Sequence, residues 1–386
     1  MSAKVSGKLS ASLRDLGRLG FSEEQGELLE IATRFCRERA PIQTVRHLMT
    51  QDLGHDPAVW KEIGELGWLG VAIPEVYGGS GLGLACVVPI CEQMGRTLLN
   101  SPFVSTQLAA QALLAGGAQA QRERLLPLIA AGEAASIALL EETGDWSLEN
   151  PQAEAQPDGA GGLVLSGRKI LVGDAASASF VVVSVRHAGA PALVIVERRH
   201  LPAGALRRET VIDETRRSFE LDLTGVSVPV ANLMDTTLAM ASLGHLHLAA
   251  NLLGAADMCG GTQAVIDLTI GYLNSRRQFG RLIGSYQALK HPTVEAYVRY
   301  EQARSHLYAA AHSFTDQGVA EIAVRMAKAT ADDAYAFAAD RAIQFHGGFG
   351  FTYDCDAQLY RRRAIWHAAQ YGDGAWHRQK LASLLL

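Results

Sequence analysis

The chain has no CxxC pair: its five cysteines (Cys36, Cys86, Cys91, Cys259 and Cys355) are scattered and odd in number. Neither a metal site nor a dithiol redox couple is therefore expected, and the thiols read as buried side chains of a reducing compartment. No run of Lys and Arg interleaves with aromatics, and the net charge is only -5, which leaves nucleic acid without an electrostatic footprint. No uninterrupted apolar run approaches the roughly 18 residues that span a bilayer, and the first residues lack the apolar core of a secretory signal. No membrane partner is expected. The first twenty residues hold Lys4, Lys8, Arg14 and Arg18 against a lone Asp15, a weak likeness to an organelle transit peptide. The simpler expectation is a flexible, cytoplasmic tail over residues 1–20.

Proline is the most informative scarcity. Eleven of the twelve prolines lie at or before Pro229 and only Pro292 follows. Because proline removes a backbone donor and clashes inside a helix, the stretch after it can form long helices. Apolar residues three and four apart over 294–314 and 319–345 predict amphipathic helices, and four such helices would make a bundle over 234–386. Between 134 and 233 the pattern shortens to runs such as Leu163-Val164-Leu165, Phe180-Val181-Val182-Val183 and Leu193-Val194-Ile195-Val196. These predict strands. The alternation from Phe219 to Thr224 places Phe219, Leu221 and Leu223 on one buried face, and Gln156 to Gly162 reads as an exposed turn. Residues 21–133 return to helical spacing, so the order is helices, strands, helices. At 386 residues the chain is long enough for several cores.

Three stretches carry a resemblance. Trp60 to Trp68, followed by Ile73-Pro74-Glu75-Val76-Tyr77-Gly78-Gly79, is similar to a PExYGG turn; Arg276-Arg277-Gln278-Phe279-Gly280, running through Ile283 to Gln287, is similar to an RxQFGxxIxxxQ signature; Gln344 to Thr352 is similar to a QxxGGxGYT turn. Together and in order they resemble the acyl-CoA dehydrogenase family. The resemblance implies an α+β acyl-CoA dehydrogenase fold: an N-terminal α-helical domain, a middle β-barrel or sandwich domain and a C-terminal four-helix bundle. It also implies FAD as cofactor, an acyl-CoA substrate, tetrameric assembly with itself or a homologous subunit, and electron-transfer flavoprotein as electron acceptor.

The residues of those stretches suit a dinucleotide. Arg276 is planar, always charged and able to hold two oxygens of a pyrophosphate. Gly347-Gly348 permits close approach of the backbone, and Gln344 both donates and accepts. The resemblance implies that Arg276, Gln278, Phe279, Gln287, Gln344, Gly347 and Gly348 contact FAD, and that those of the second and third stretches reach across an interface to a neighbour's FAD.

Two other parts depart from the family. Where relatives read TEPxxGSD, this chain has Leu140-Glu141-Glu142-Thr143-Gly144-Asp145-Trp146; where they read lysine-x-tryptophan-isoleucine-threonine, it has Lys169-Ile170-Leu171-Val172-Gly173. The hydroxyl and the aromatic ring that attend the flavin ring are missing. The family's base is a glutamate, since the reaction removes an α-proton while hydride leaves the β-carbon. Its two positions hold Tyr371 and Ala250 here, with Asn251 where an arginine follows. Asp373 remains a weak candidate, since aspartate is a common capping residue. His245 and His247 fall on different sides of one helix, without a third ligand. The Arg361-Arg362-Arg363 run reads as a solvated face or a contact to CoA phosphate. Trp366, Trp376, Tyr360 and Tyr371 are expected to pack the end of the bundle or line an acyl channel.

Three functional readings stay open. In one, the chain completes the FAD site of a catalytic homologue in a heterotetramer, as in subgroups acting on steroid or dicarboxylic acyl-CoA, which the Val211 to Arg217 and Tyr371-Gly372-Asp373 stretches resemble. In another it is a self-sufficient homotetrameric dehydrogenase with a displaced base. In the third it is a scaffold or binding protein that kept the fold and lost the reaction.

Overall fold

The computed structural model describes residues 22–316 and 318–386; the tail expected over 1–20 lies outside them. Among the described residues six α-helices come first: α1 (Glu23–Arg39), α2 (Ile42–Met49), α3 (Pro57–Glu65), α4 (Val88–Thr97), α5 (Phe103–Gly116) and α6 (Gln119–Ala130). Local sequence sets their starts. Gln25 N donates to Ser22 Oγ at 3.2 Å while Ser22 N donates to Gln25 Oε1 at 3.0 Å, a capping box for α1. Asp56 accepts from Ala58 N, and Pro57 takes the first turn of α3, where its missing N–H costs nothing.

Nine strands follow, in two sheets. β1 (Ala135–Ala138), β5 (Phe180–His187), β2 (Glu154–Pro157), β3 (Gly162–Ser166) and β9 (Val226–Pro229) lie in that spatial order, with β6 (Ala190–Glu197) paired to β5. β4 (Arg168–Gly173), β8 (Ser218–Asp222) and β7 (Leu206–Arg208) form the second sheet. Alternate residues such as Leu163, Leu165, Val181, Val183, Val194 and Leu221 fill the core between them. The runs expected to be strands are β3, β5, β6 and β8. Leu223 is buried with Phe219 and Leu221, although the strand ends one residue before it.

The last third holds α7 (Ala239–Leu273), α8 (Gln287–Ser313), α9 (Val319–Phe345), α10 (Ala357–Ala368) and α11 (Gly374–Leu385). α8 begins seven residues before the apolar spacing at 294 and runs through Pro292. Pro292 is the sixth residue of the helix, past the free donors of the first turn, so the helix runs through it at the cost of one backbone hydrogen bond. With the turn before it, α7 is long and apolar enough to cross a membrane, against the expectation from uninterrupted runs; most of that length is buried as the central helix of the bundle. It presses on α4 at two glycines. A Cβ on Gly95 would lie 2.1 Å from Asp257 O, and one on Gly260 only 1.8 Å from Glu92 O. Only glycine permits that approach, and the crossing fixes where Asp257 sits.

Candidate functional site

Two cavities matter, and they differ in kind. The first opens outward beside a hairpin. β10 (Arg277–Gln278) and β11 (Arg281–Leu282) are joined by Phe279 and Gly280, with φ of 52° and 77°. A two-residue loop with both φ positive matches the twist of paired strands. Glycine adopts it freely, whereas phenylalanine does so at a cost. The turn thrusts the Phe279 ring outward, 92% exposed. Tyr286 braces it edge-on at 6.5 Å and carries Arg281 over its own face at 4.0 Å.

That hairpin borders an open cavity of about 790 Å³ lined by Arg276, Gln278, Phe279, Tyr286, Gly347 and Gly348 among others. Arg276 is exposed, and among the described residues no carboxylate forms an ion pair with it. Gly347 has φ of 62°, and open space lies where a Cβ would project from it and from Gly348. Five of the seven expected FAD contacts thus meet on one surface. Gln344 instead lines an adjoining groove of about 480 Å³ with Arg341, Arg361 and Arg362. Gln287 is the exposed first residue of α8 and lines neither cavity.

The second cavity is smaller, about 100 Å³, and only partly enclosed, set among α5, α7, β4 and the end of α10. α5 supplies Val104, Ser105 and Leu108; α7 supplies Ala250, Leu253 and Asp257; β4 and the residue after it supply Leu171, Gly173 and Asp174; and the end of α10 supplies Trp366, His367, Gln370 and Tyr371. Both family base positions, Ala250 and Tyr371, face this space, as do Leu171 and Gly173 from the altered β4 stretch. Tyr371 does not replace a glutamate. Burial pushes its phenol up from the ordinary value, so it stays protonated. Asp373 lies outside the lining: its Oδ1 accepts from Trp376 N at 2.7 Å and caps α11, the ordinary use of an aspartate there.

A buried ion network that the sequence did not announce walls the same cavity. Asp257 Oδ2 accepts from Arg216 Nη2 at 2.5 Å; its carboxylate also lies 3.1 Å from Arg363 Nη1 and 2.9 Å from His367 Nε2. A carboxylate only accepts, so that histidine nitrogen carries the proton. Arg363 further pairs with Asp213 and donates to Thr215 Oγ1 at 2.5 Å. Burial alone would raise Asp257, yet Arg363 and Arg216 hold it well below the usual carboxylate range. The arginine run is therefore no solvated face: Arg363 is fully buried in the network, while Arg362 pairs with Glu214 at 2.5 Å and Arg361 with Asp340 at 2.5 Å. Arg217 turns the other way, donating to the carbonyls of Leu48, Met49 and Gln51 at 2.9, 3.0 and 2.6 Å past the end of α2. Residues 213–217 accordingly tie all three regions together.

Asp174 is the other acid at this cavity. It has φ of 53°, accepts from Ser105 Oγ at 3.0 Å, and is pushed up to about 6 by burial. Leu171 also has a positive φ, 55°, with its N–H held by Glu209 Oε2 at 3.0 Å. Leu140 packs into the core, and its carbonyl accepts from Ile170 N at 3.0 Å. Beside it, fully buried Lys169 donates to Glu141 Oε1 at 2.6 Å and Ser184 Oγ at 2.9 Å, and burial lowers its ammonium to about 8.

His247 and His377 form a second polar cluster behind the cavity wall. His377 Nε2 lies 3.1 Å from Asn251 Oδ1, and Asn251 Nδ2 donates to His247 O and Tyr371 O at 2.8 and 3.2 Å. Trp376 packs between this cluster and Trp146 of the β-region, 6.2 Å away edge-on.

Residues 22–133 match the model of the acyl-CoA dehydrogenase N-terminal domain, and residues 238–385 that of the acyl-CoA dehydrogenase C-terminal domain. The chain belongs to the acyl-CoA dehydrogenase family. Members of this family are FAD flavoproteins and oxidoreductases. The chain is 31% identical to acyl-CoA dehydrogenase IpdE2 of Mycobacterium tuberculosis over 89% of its own length and 91% of the relative's. It is 29% identical to the IpdE2 of Mycolicibacterium smegmatis, over 89% and 93%. Among solved structures it superposes on a variant of the Tcur3481-Tcur3483 steroid ACAD with a TM-score of 0.85 and 29% identity, covering 95% of this chain and 98% of that one.

Proposed function

We propose that this chain is the partner subunit of a heteromeric acyl-CoA dehydrogenase. It grips the nucleotide end of a catalytic homologue's FAD rather than seating a flavin ring of its own. The observation that carries this reading is the contrast in size and chemistry between the two cavities. An apolar cavity of roughly 150 Å³ accepts benzene, and a three-ring isoalloxazine is far larger than the 100 Å³ inside this chain. That interior is already crossed by Arg216 and Asp257. The outward cavity, by contrast, offers an unpaired guanidinium, two glycines without steric cover and an exposed aromatic ring, the donor set a dinucleotide's anionic end requires.

When bound, FAD supplies the hydride acceptor for α,β-desaturation of an acyl-CoA thioester. This chain's part is to hold and orient: Arg276 carries the charge-assisted bonds, Gln278 and the Gly347-Gly348 backbone add donors, and Phe279 excludes water from the junction. Gln344, on the adjoining groove, would meet the same dinucleotide further along. The likeness to a structure described as a steroid ACAD supports a bulky, steroid-derived acyl-CoA as substrate; electron-transfer flavoprotein as the acceptor follows from the family resemblance alone.

The test is flavin content. The chain is purified alone and after co-expression with acyl-CoA dehydrogenase homologues of the same genome, and flavin absorbance per polypeptide and native mass are measured. The proposal expects a flavin-free chain alone and one flavin for every two polypeptides in a mixed tetramer. A full complement in the chain alone, bleached by acyl-CoA, would instead identify a self-sufficient dehydrogenase; no flavin in either preparation would identify a scaffold.

A further inference from the structure

We infer that the smaller cavity is a binding site for a small molecule carrying a carbonyl oxygen next to an O–H or N–H group, a short carboxylic acid or primary amide. This rests on the reading that no flavin ring enters that space.

Three residues from three separate connecting segments wall the cavity, and each carries a buried polar atom without a hydrogen-bond partner among the described residues: Asp174 Oδ1, Arg216 Nε and Gln370 Nε2. Buried polar atoms are normally satisfied, so three orphans around one void call for an occupant. Their chemistry restricts what it is. Arg216 Nε and Gln370 Nε2 can only donate, and the second Asp174 oxygen is already bonded by Ser105. An occupant must therefore accept two hydrogen bonds and give one. A primary amide does this with one planar group, and so does a carboxylic acid bound in its protonated form, whereas an anion without a proton has nothing to give Asp174 and a hydrocarbon satisfies none of the three. Val104, Leu108 and Leu253 complete the wall with alkyl surface, which suits a short aliphatic tail. The volume, below what benzene needs, limits the molecule to about four to six non-hydrogen atoms.

The probes are propionamide and propionic acid at about 10 mM, a range that detects weak sites. Saturation-transfer NMR on the full chain, with a high-resolution crystal soaked in each, reads the result. Expected are saturation transfer for at least one probe and density for its planar head in contact with Asp174, Arg216 and Gln370. Gln370→Leu should weaken binding about tenfold, the loss of one hydrogen bond, and Leu108→Phe should abolish it by filling the void. Thermal melts of both variants check that they fold. Ordered waters alone bridging the three atoms, with no transfer from either probe to the wild-type chain, would overturn this inference while leaving the partner-subunit reading intact. An isoalloxazine found in the cavity would instead remove the reading on which the inference rests.

Discussion

The hairpin at Arg277–Leu282 and the interior around Asp257 are built on opposite plans. The hairpin and the Arg276 beside it leave that guanidinium without a carboxylate partner among the described residues and the Phe279 ring in solvent, with a left-handed backbone at Phe279. The interior pairs most of the charge it holds: Asp213, Arg216, Asp257 and Arg363 are linked by ion pairs and His367 is bonded to Asp257, while Arg216 Nε and Asp174 Oδ1 have no partner among the described residues. Strain and exposure together mark a surface kept for a ligand or partner. Mutual pairing marks a region whose charges are spent on holding elements together.

The sharpest way to break that contrast is to remove the hub of the interior. Arg363→Ala leaves Asp213 and Asp257 buried without their main counter-ion and should cost about 3–5 kcal/mol, read by denaturant unfolding of the purified chain. An effect below about 1 kcal/mol would mean that water reaches the network and that the interior is less closed than described.

How much of this was legible beforehand follows from what sequence patterns encode. The strands and the helical order rest on local spacing, so they could be read directly; the Arg276 to Gly280 stretch reads as a motif, and its hairpin was not foreseen. The network could not. Asp213, Asp257 and Arg363 are far apart in the chain, and only the Gly95 and Gly260 crossing brings α7 close enough to place Asp257. The triple-arginine run looked solvated because adjacent helix residues point in different directions, and only Arg363 points inward. Asp174 was passed over because nothing in its neighbours signals an aspartate in a left-handed conformation. Asp373 was a reasonable candidate base until its oxygen was found capping α11. The altered stretches at Leu140 and Leu171 were visible, but not the small volume that Leu171 and Gly173 help enclose.

Acid titration sharpens the same contrast. Burial holds His247 down at about 3 and His377 at about 2, both depressed further by cationic neighbours such as Arg325 and Lys328. The unfolded chain takes up these protons near pH 6.5 while the folded chain refuses them. The stabilisation is therefore complete above that pH and declines steadily as pH falls toward the folded values. A loss of roughly 4 kcal/mol by pH 5, about 2 kcal/mol for each histidine, is expected, and His377→Gln should flatten the fall in melting temperature between pH 7 and 5. An unchanged slope in that variant would show that the titrating group lies elsewhere. Arg276→Ala, out on the hairpin surface, should leave the pH profile as it was.

On that surface, Arg276→Ala should leave stability within about 0.5 kcal/mol of the parent. It should weaken flavin retention by the mixed complex by about 1.5–3 kcal/mol, roughly ten- to a hundredfold, the worth of a charge-assisted hydrogen bond. Retention unchanged on gel filtration would remove Arg276 from the pyrophosphate. The smallest effect belongs to Phe279→Gly. Relief of the left-handed phenylalanine should raise stability of the isolated chain by up to about 1 kcal/mol, seen as a higher melting temperature, while assembly with the homologue weakens.

The most direct test is a cryo-electron microscopy map of the mixed tetramer at a resolution that shows flavin rings. The account predicts isoalloxazine density only in the β-domains of the catalytic homologue, with Arg276 and the Gly347-Gly348 backbone of this chain against the pyrophosphate. Isoalloxazine seated beside Leu171 and Asp174 of this chain would contradict it.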